Sequence, residues 1–285
     1  MIMETLAVYP VSFFFSFFKS YAVGCYPVEV YRIELLNEHL LFLFALYFSY
    51  NTIYQNYTRF VTRGEKMQKR AFVSFSGGKD SNLSLLKAQE AGFTVCALLS
   101  MVRADGQCSA SHHLPVSVLQ QQGESLGIPL LVRSTSWEEY ERNFLECLSL
   151  LKEQRIEYGI FGDIDVIEHR QWVERVCGIG EMKSFLPLWG DDHLEIAKEF
   201  VRRSFEAFVV VVKDQLLPLS FVGRKYDEAL IDELLALGVD PCGENGEFHT
   251  LVVNGPLYQR PLSYHFGEVF SDQGYHFVRI DRHAV

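Results

Sequence analysis

From Lys69 onward the chain alternates short apolar runs with stretches of helical period. Ala71-Phe72-Val73-Ser74-Phe75 is one such run, and Thr94–Leu99, Ile128–Val132 and Tyr158–Gly162 are three more. Apolar runs of this length, bounded by glycine or polar residues, suit strands buried on both faces. Between them, residues 79–91, 116–126, 137–153 and 167–177 carry helical spacing. Gly92 and Gly127 sit where the first two helices should stop, and Thr135 or Ser136 is placed to cap the third, with Glu138 and Glu139 in its first turn. This alternation predicts an α/β fold: an open, mostly parallel, Rossmann-like sheet with helices on both faces.

Beyond residue 190 the pattern changes. Residues 191–203 and 225–237 read as helices, 207–212 as a strand, and 249–254, 263–270 and 275–281 as further strands. Turns are expected at Asn254-Gly255-Pro256 and Ser271-Asp272-Gln273-Gly274. The expected organisation is a nucleotide-binding domain over residues 67–190 and a smaller α+β domain over 191–285, with a cleft between them as a natural substrate site.

Residues 1–66 stand apart, holding 17 of the 37 phenylalanines and tyrosines. Their longest apolar run, Leu40 to Tyr50, falls short of the ~18–20 residues a membrane-spanning helix needs. Glu4 occupies the region where a secretory signal would be basic. Three readings are open: an upstream stretch outside the natural product, a small helical appendage, or a membrane-associated extension, against which the run lengths argue. No functional residue is placed there.

The chemistry centres on Ser76-Gly77-Gly78-Lys79-Asp80-Ser81, between the first strand and the first helix. A tight glycine turn brings free backbone N–H groups, the positive end of a helix and a lysine to one point, which suits phosphate. Only two glycines precede the lysine, so this is not the Walker spacing. The net charge of -10 argues against general nucleic-acid binding, so phosphate would be met at a focused site. Six cysteines without C-x-x-C spacing indicate a reduced, cytoplasmic protein with neither a disulfide scaffold nor a structural metal.

Other candidates fall at strand ends, where open α/β sheets bind ligands. They are His112 and His113 after the second strand, and Gly162 and Asp163 after the fourth, Asp163 also being a possible helix cap. Glu244 and Glu247, three apart in the turn Gly243-Glu244-Asn245-Gly246-Glu247, are placed either for proton transfer at a site or to cap the turn. His249 is a nearby candidate base, and Arg224 a candidate contact for the acceptor or a phosphate. Trp189 reads as packing at the domain junction, Arg170 as a solvated cation and Cys177 as core. Cys242 lies in the glutamate motif without a partnering cysteine, so a sulfur-transfer role has little support.

The hexapeptide resembles the pyrophosphate loop of the ATP-pyrophosphatase superfamily. Together with Gly127-Ile128-Pro129-Leu130, Phe185-Leu186-Pro187-Leu188-Trp189-Gly190 and the segment from Asp240 to Thr250, it makes residues 70–262 similar to the diphthine–ammonia ligase family. The resemblance implies a reaction of ATP, ammonium and a carboxylate on a modified histidine of elongation factor 2, yielding an amide, AMP and pyrophosphate. It implies ATP and Mg2+ as cofactors, with Asp80 as the metal contact. Ser76, Gly77, Gly78, Lys79 and Ser81 would hold pyrophosphate, with Met101 and Gly162 as further nucleotide contacts. Lys79, Asp163, Glu244, Glu247 and His249 make up the candidate catalytic set. His112, His113, Arg224, Gly243, Asn245 and Gly246 are the candidate substrate contacts.

The chain departs from the better-characterised ligases in reading Asp163-Ile164-Asp165 where they carry small residues and a Tyr-Gln pair. It also carries Asn245 and His249 where they resemble Gly and Glu. These departures look like a bacterial branch and leave the acceptor open. An adenylating enzyme that modifies another small-molecule or RNA acceptor with nitrogen or sulfur is the alternative enzyme reading. A nucleotide-binding regulatory protein is the non-enzymatic one, and a homo-oligomer is compatible with either.

Overall fold

The computed structural model describes residues 68–110 and 112–282, all within a unit running from Met67 to Val285. The readings made of residues 1–66 lie outside the described residues. The chain order is β1 (Lys69–Ser74), α1 (Lys79–Glu90), β2 (Phe93–Arg103), α2 (Val116–Leu126), β3 (Leu130–Thr135), α3 (Tyr140–Glu153), β4 (Tyr158–Ile160), α4 (Ile167–Ile179) and β5 (Lys183–Phe185). Then follow α5 (His193–Arg202), β6 (Glu206–Lys213), α6 (Glu228–Ala236), β7 (Phe248–Asn254), β8 (Tyr264–Asp272) and β9 (Tyr275–Arg282).

The first five strands form one parallel sheet in the order β3-β2-β1-β4-β5. Side chains alternate across it as strand geometry requires. Ala71, Val73, Leu98 and Val102 pack with α1 and α2, whereas Phe72, Ala97, Leu99 and Met101 pack with Phe144 and Leu148 of α3 and Val173 and Val176 of α4. The α/β expectation therefore holds, with helices on both faces. The chain leaves β1 toward β2 and later returns to β4 on β1's other side, so the topological switch point lies between the ends of β1 and β4.

The second sheet is antiparallel in the order β7-β6-β9-β8, accompanied by α5 and α6. Its apolar face shares a core with the first: Val211, Leu251, Phe277 and Ile280 join Leu85, Val118 and Leu119. Helix α1 is enclosed, with Leu85 and Ala88 toward the first sheet and Leu83 and Leu86 toward α5 and α6. A helix surrounded in this way needs no sharply amphipathic pattern.

Three expectations are corrected. The third helix begins at Tyr140 with Glu139 as its N-cap, so Thr135 and Ser136 do not cap it and Glu138 precedes it; Thr135 instead closes β3. Strand β2 runs on to Arg103, because its end pairs with β3 through Thr135. Lys183-Ser184-Phe185 is a short edge strand beside β4, too brief and too polar to stand out as a run. Among the described residues no helix is long and apolar enough to cross a membrane.

Candidate functional site

The hexapeptide sits at the switch point, with Gly77 at φ +83° and Gly78 as the N-cap of α1. Positive φ is readily open only to a residue without Cβ, and the chain needs it here to turn from strand to helix within four residues. Gly78 N–H reaches Ser76 Oγ at 3.3 Å, while Gly78 C=O accepts Asn82 Nδ2 at 2.9 Å and Ser81 Oγ at 3.0 Å. The two serines and Asn82 thus brace the loop from inside.

Lys79 is buried, and the second lobe surrounds it. Its backbone N–H donates to Thr250 Oγ1 on β7 at 3.0 Å, and its ammonium donates to the Cys242 carbonyl and to Asp80 Oδ2 at 2.7 Å. Burial works against the charge, but Asp80, Cys242 and Tyr226 outweigh it, so Lys79 stays protonated. The Asp80 pKa is also raised, which for a carboxyl disfavours the charge: burial raises it more than Lys79 lowers it.

The motif from Asp240 to Thr250 wraps this lysine. Asp240 accepts the N–H groups of Cys242 at 2.9 Å and Glu244 at 3.0 Å, and Tyr226 donates to the Pro241 carbonyl at 2.6 Å. Gly243, at φ +70°, has no room for a side chain, since a Cβ would lie 2.9 Å from the Phe248 carbonyl. Glu244 is poised: burial, then the charges of Asp80, Asp163 and Asp240, push its pKa up to about 7. A carboxylate with that pKa can take a proton near neutrality.

Glu247 behaves differently. Its carboxylate is buried and turns back to accept Asn245 N–H at 2.9 Å, the turn-capping alternative. Asn245 is exposed, and Gly246 at φ +76° completes the turn.

The histidines are brought to the loop. The rings of His112 and His249 lie 4.4 Å apart, and a Cβ on Gly78 would sit 2.5 Å from His112 Nε2. Burial, followed by nearby positive charge, lowers His249 to about 4, and burial also takes His112 well below its usual value. Both rings are neutral at pH 7. His113 instead packs on Phe277 and lines a cavity of about 620 Å³ bounded by Arg103, Trp137 and Asp272. Asp163 lines a second cavity of about 460 Å³ with Ser74, Tyr140 and His169, and pairs with His169 at 3.3 Å. Gly162 lies so close to α1 that a Cβ would meet the Asp80 backbone at 3.1 Å.

Like His113, Arg224 and Met101 are not brought to the loop. Arg224 is turned to Glu233 of α6 and lies over the Phe221 ring, because a carboxylate nine residues on satisfies its fork. Met101 packs its side chain among the α3 and α4 core, and its carbonyl accepts Ala110 N–H. Arg170 pairs with Glu174 and lies over Trp189.

His193, Asp240 and Cys242 place one ligand atom each within 4.8 Å, as a cation site would. Each is already partnered. His193 Nδ1 meets Asp240 at 2.8 Å and its Nε2 meets Asp165 at 3.2 Å, while Cys242 Sγ donates to the His193 carbonyl. These contacts hold the turn. Burial raises the Cys242 pKa, which keeps the thiol protonated and a poor nucleophile.

Sequence reasoning missed the residues through which the second lobe completes the loop: Thr250, the Cys242 carbonyl, Tyr226 and Asp240. Asp240 and Thr250 lay within the recognised motif, but nothing in the spacing says which motif atoms face Lys79. Tyr226, far from the motif in sequence, carried no signal.

Residues 69–184 match the family model described as the diphthamide synthase N-terminal domain, and residues 192–285 match the diphthamide synthase C-terminal domain. The chain belongs to the diphthamide synthase family. A Homo sapiens protein named diphthine–ammonia ligase is 26% identical over 226 residues, covering 70% of this chain and 84% of that protein. A Danio rerio protein of the same name is 28% identical over 214 residues, covering 66% and 83%. A solved Methanocaldococcus jannaschii structure, titled a predicted subunit of tRNA methyltransferase, is 16% identical and covers 65% of this chain and 97% of its own. Its TM-score of 0.37 is too low to carry an argument. Every contact described around Lys79 joins residues within the two matched diphthamide synthase segments.

Proposed function

We propose that the protein is an ATP-dependent, AMP- and pyrophosphate-forming amide ligase that adenylates a carboxylate and lets ammonia displace AMP. The ligase assignment follows from membership of the diphthamide synthase family and from relatives named diphthine–ammonia ligase. The observation that carries the finer reading is the meeting, at one lysine, of the glycine loop and the glutamate turn.

A carboxylate resists ammonia because its leaving group is poor, and adenylation replaces that group with AMP. The loop N–H groups and the Lys79 ammonium are suited to hold the departing pyrophosphate. Glu244, with a pKa of about 7, is suited to take the proton that the attacking nitrogen must shed. The neutral rings of His112 and His249 offer hydrogen bonds without adding charge.

Asp80 and Glu244, whose pKa values are both raised mainly by burial, offer carboxylate oxygens of the kind a hard divalent cation takes. Asp80 is the residue that would hold Mg2+, which when bound offsets phosphate charge. A diphthine-like acceptor follows from the relatives' name. The departures at Asp163, Asn245 and His249 make a different carboxylate the alternative.

Incubation with ATP, ammonium and candidate carboxylates should give AMP and pyrophosphate only when an acceptor is present. ADP and phosphate as the sole products would exclude adenylation. Lys79→Ala should lower turnover by at least about 100-fold, the scale of losing one charge-stabilising group at a reacting centre.

A further inference from the structure

The peptide between Gly77 and Gly78 is the point at which a phosphate cradle built on this loop is most easily spoiled. A peptide flanked by two glycines meets no Cβ on either side, so its plane can turn over with little steric resistance. One orientation offers the Gly78 N–H to the mouth of the loop. The other offers the Gly77 carbonyl, whose partial negative charge would repel a phosphate oxygen.

The structure shows what selects between them. Gly77 C=O accepts two hydrogen bonds, from the Val252 N–H at 3.1 Å and from Gln122 Nε2 at 2.9 Å. Because a trans peptide points its N–H opposite to its C=O, these two donors turn the Gly78 N–H toward Ser76 Oγ, on the loop side.

Gln122 is fully buried on α2. Its second amide hydrogen goes to the Val252 carbonyl at 2.8 Å, so one side chain bridges the loop and strand β7. Tyr258 closes the set, its hydroxyl lying 3.3 Å from Gln122 Nε2 and donating to Asn82 Oδ1 of α1 at 2.9 Å. The amide orientation is fixed by these acceptors, since the reverse flip would set Oε1 against two carbonyls. Among the described residues Oε1 itself has no hydrogen-bond partner, and it lies 2.6 Å from where a Cβ on Gly77 would be. A buried acceptor without a partner is unfavourable, so the two donated bonds hold the side chain in place.

We propose that Gln122 is a positioning residue for phosphate binding. It holds the Gly77–Gly78 peptide with its N–H toward the ligand and makes that orientation depend on the docked second sheet. The inference rests on reading the loop as the pyrophosphate site.

The test compares Gln122→Met, similar in length but without a donor, with the wild-type full-length chain by calorimetry. Inorganic pyrophosphate and AMP are titrated separately. Pyrophosphate affinity should fall by about tenfold, equivalent to ~1.4 kcal/mol, while AMP affinity stays at the wild-type level. Unchanged pyrophosphate affinity would overturn the proposal, and so would a parallel loss for both ligands, which marks general loosening. If Q122M does not fold, Gln122→Asn keeps the amide but falls one methylene short of Gly77, and the same outcomes apply. Wild-type protein that binds no pyrophosphate would instead sink the reading of the loop, and the proposal with it.

Discussion

Glu244 shows how far a side chain's chemistry can depart from its type. A glutamate in water is ionised well below neutrality, whereas here burial and three nearby carboxylates bring its pKa to about 7. Because the folded pKa is raised, the proton stabilises the fold. That contribution is fully present below the unfolded value near 4.5 and is lost as pH rises through about 7. Glu244→Gln, which cannot ionise, should therefore be more stable than the wild type at pH 8, by up to about 3 kcal/mol at full burial, with the gap closing as pH falls to about 4. Activity should move the opposite way. Wild-type turnover should fall as pH drops through about 7, and the variant should lose both the acidic limb and most of its rate. A melting series and a pH–rate profile on the same pair check both signs.

Among the elements, the turn from Asp240 to Glu247 depends on partners that are distant in the chain. Tyr226 is buried and donates to the Pro241 carbonyl at 2.6 Å, which steadies the turn from below. Tyr226→Phe would strand that carbonyl and should destabilise the protein by about 1–3 kcal/mol. If the turn presents Glu244, kcat should fall more than KM for ATP rises; steady-state kinetics and denaturant titration measure the two effects.

This is also the scale at which the sequence was most and least legible. Gly127 ends α2 in the left-handed conformation as its position foretold, and β1, β2 and β4 stood out as apolar runs. The start of α3 did not, because Thr135 was committed to pairing with Arg103 across the sheet, a contact that no local capping rule can see. The split between Glu244 and Glu247 was equally hidden. Both carry the same side chain in the same glycine-rich turn, and only the fold decides that one accepts Asn245 N–H while the other feels Asp80.

For the molecule as a whole, the division at about residue 190 is a division of topology more than of stability. Val118 and Leu119 of α2 share one apolar core with Val211, Leu251 and Phe277 of the second sheet, and α1 is enclosed between the two. A fragment of residues 67–190 would expose that face to water. Burying a single large aliphatic side chain is worth about 1.5–3 kcal/mol, so the loss of several should exceed the stability of a typical domain. The fragment should lack a cooperative melting transition and bind a hydrophobic dye, whereas residues 67–285 should unfold as one unit in calorimetry. Two separate transitions in the longer chain would count against a shared core.

The bond from the Val252 N–H to the Gly77 carbonyl is made by backbone alone. Only proline, which lacks an N–H, would delete it, so an alanine scan would pass over it, and any other residue at position 252 that keeps the strand would preserve it. Its visibility lies in proton exchange. The Val252 amide should trade its hydrogen for deuterium at a rate set by how often the loop lets go, giving a clock for loop opening that runs without ligand, turnover or mutation.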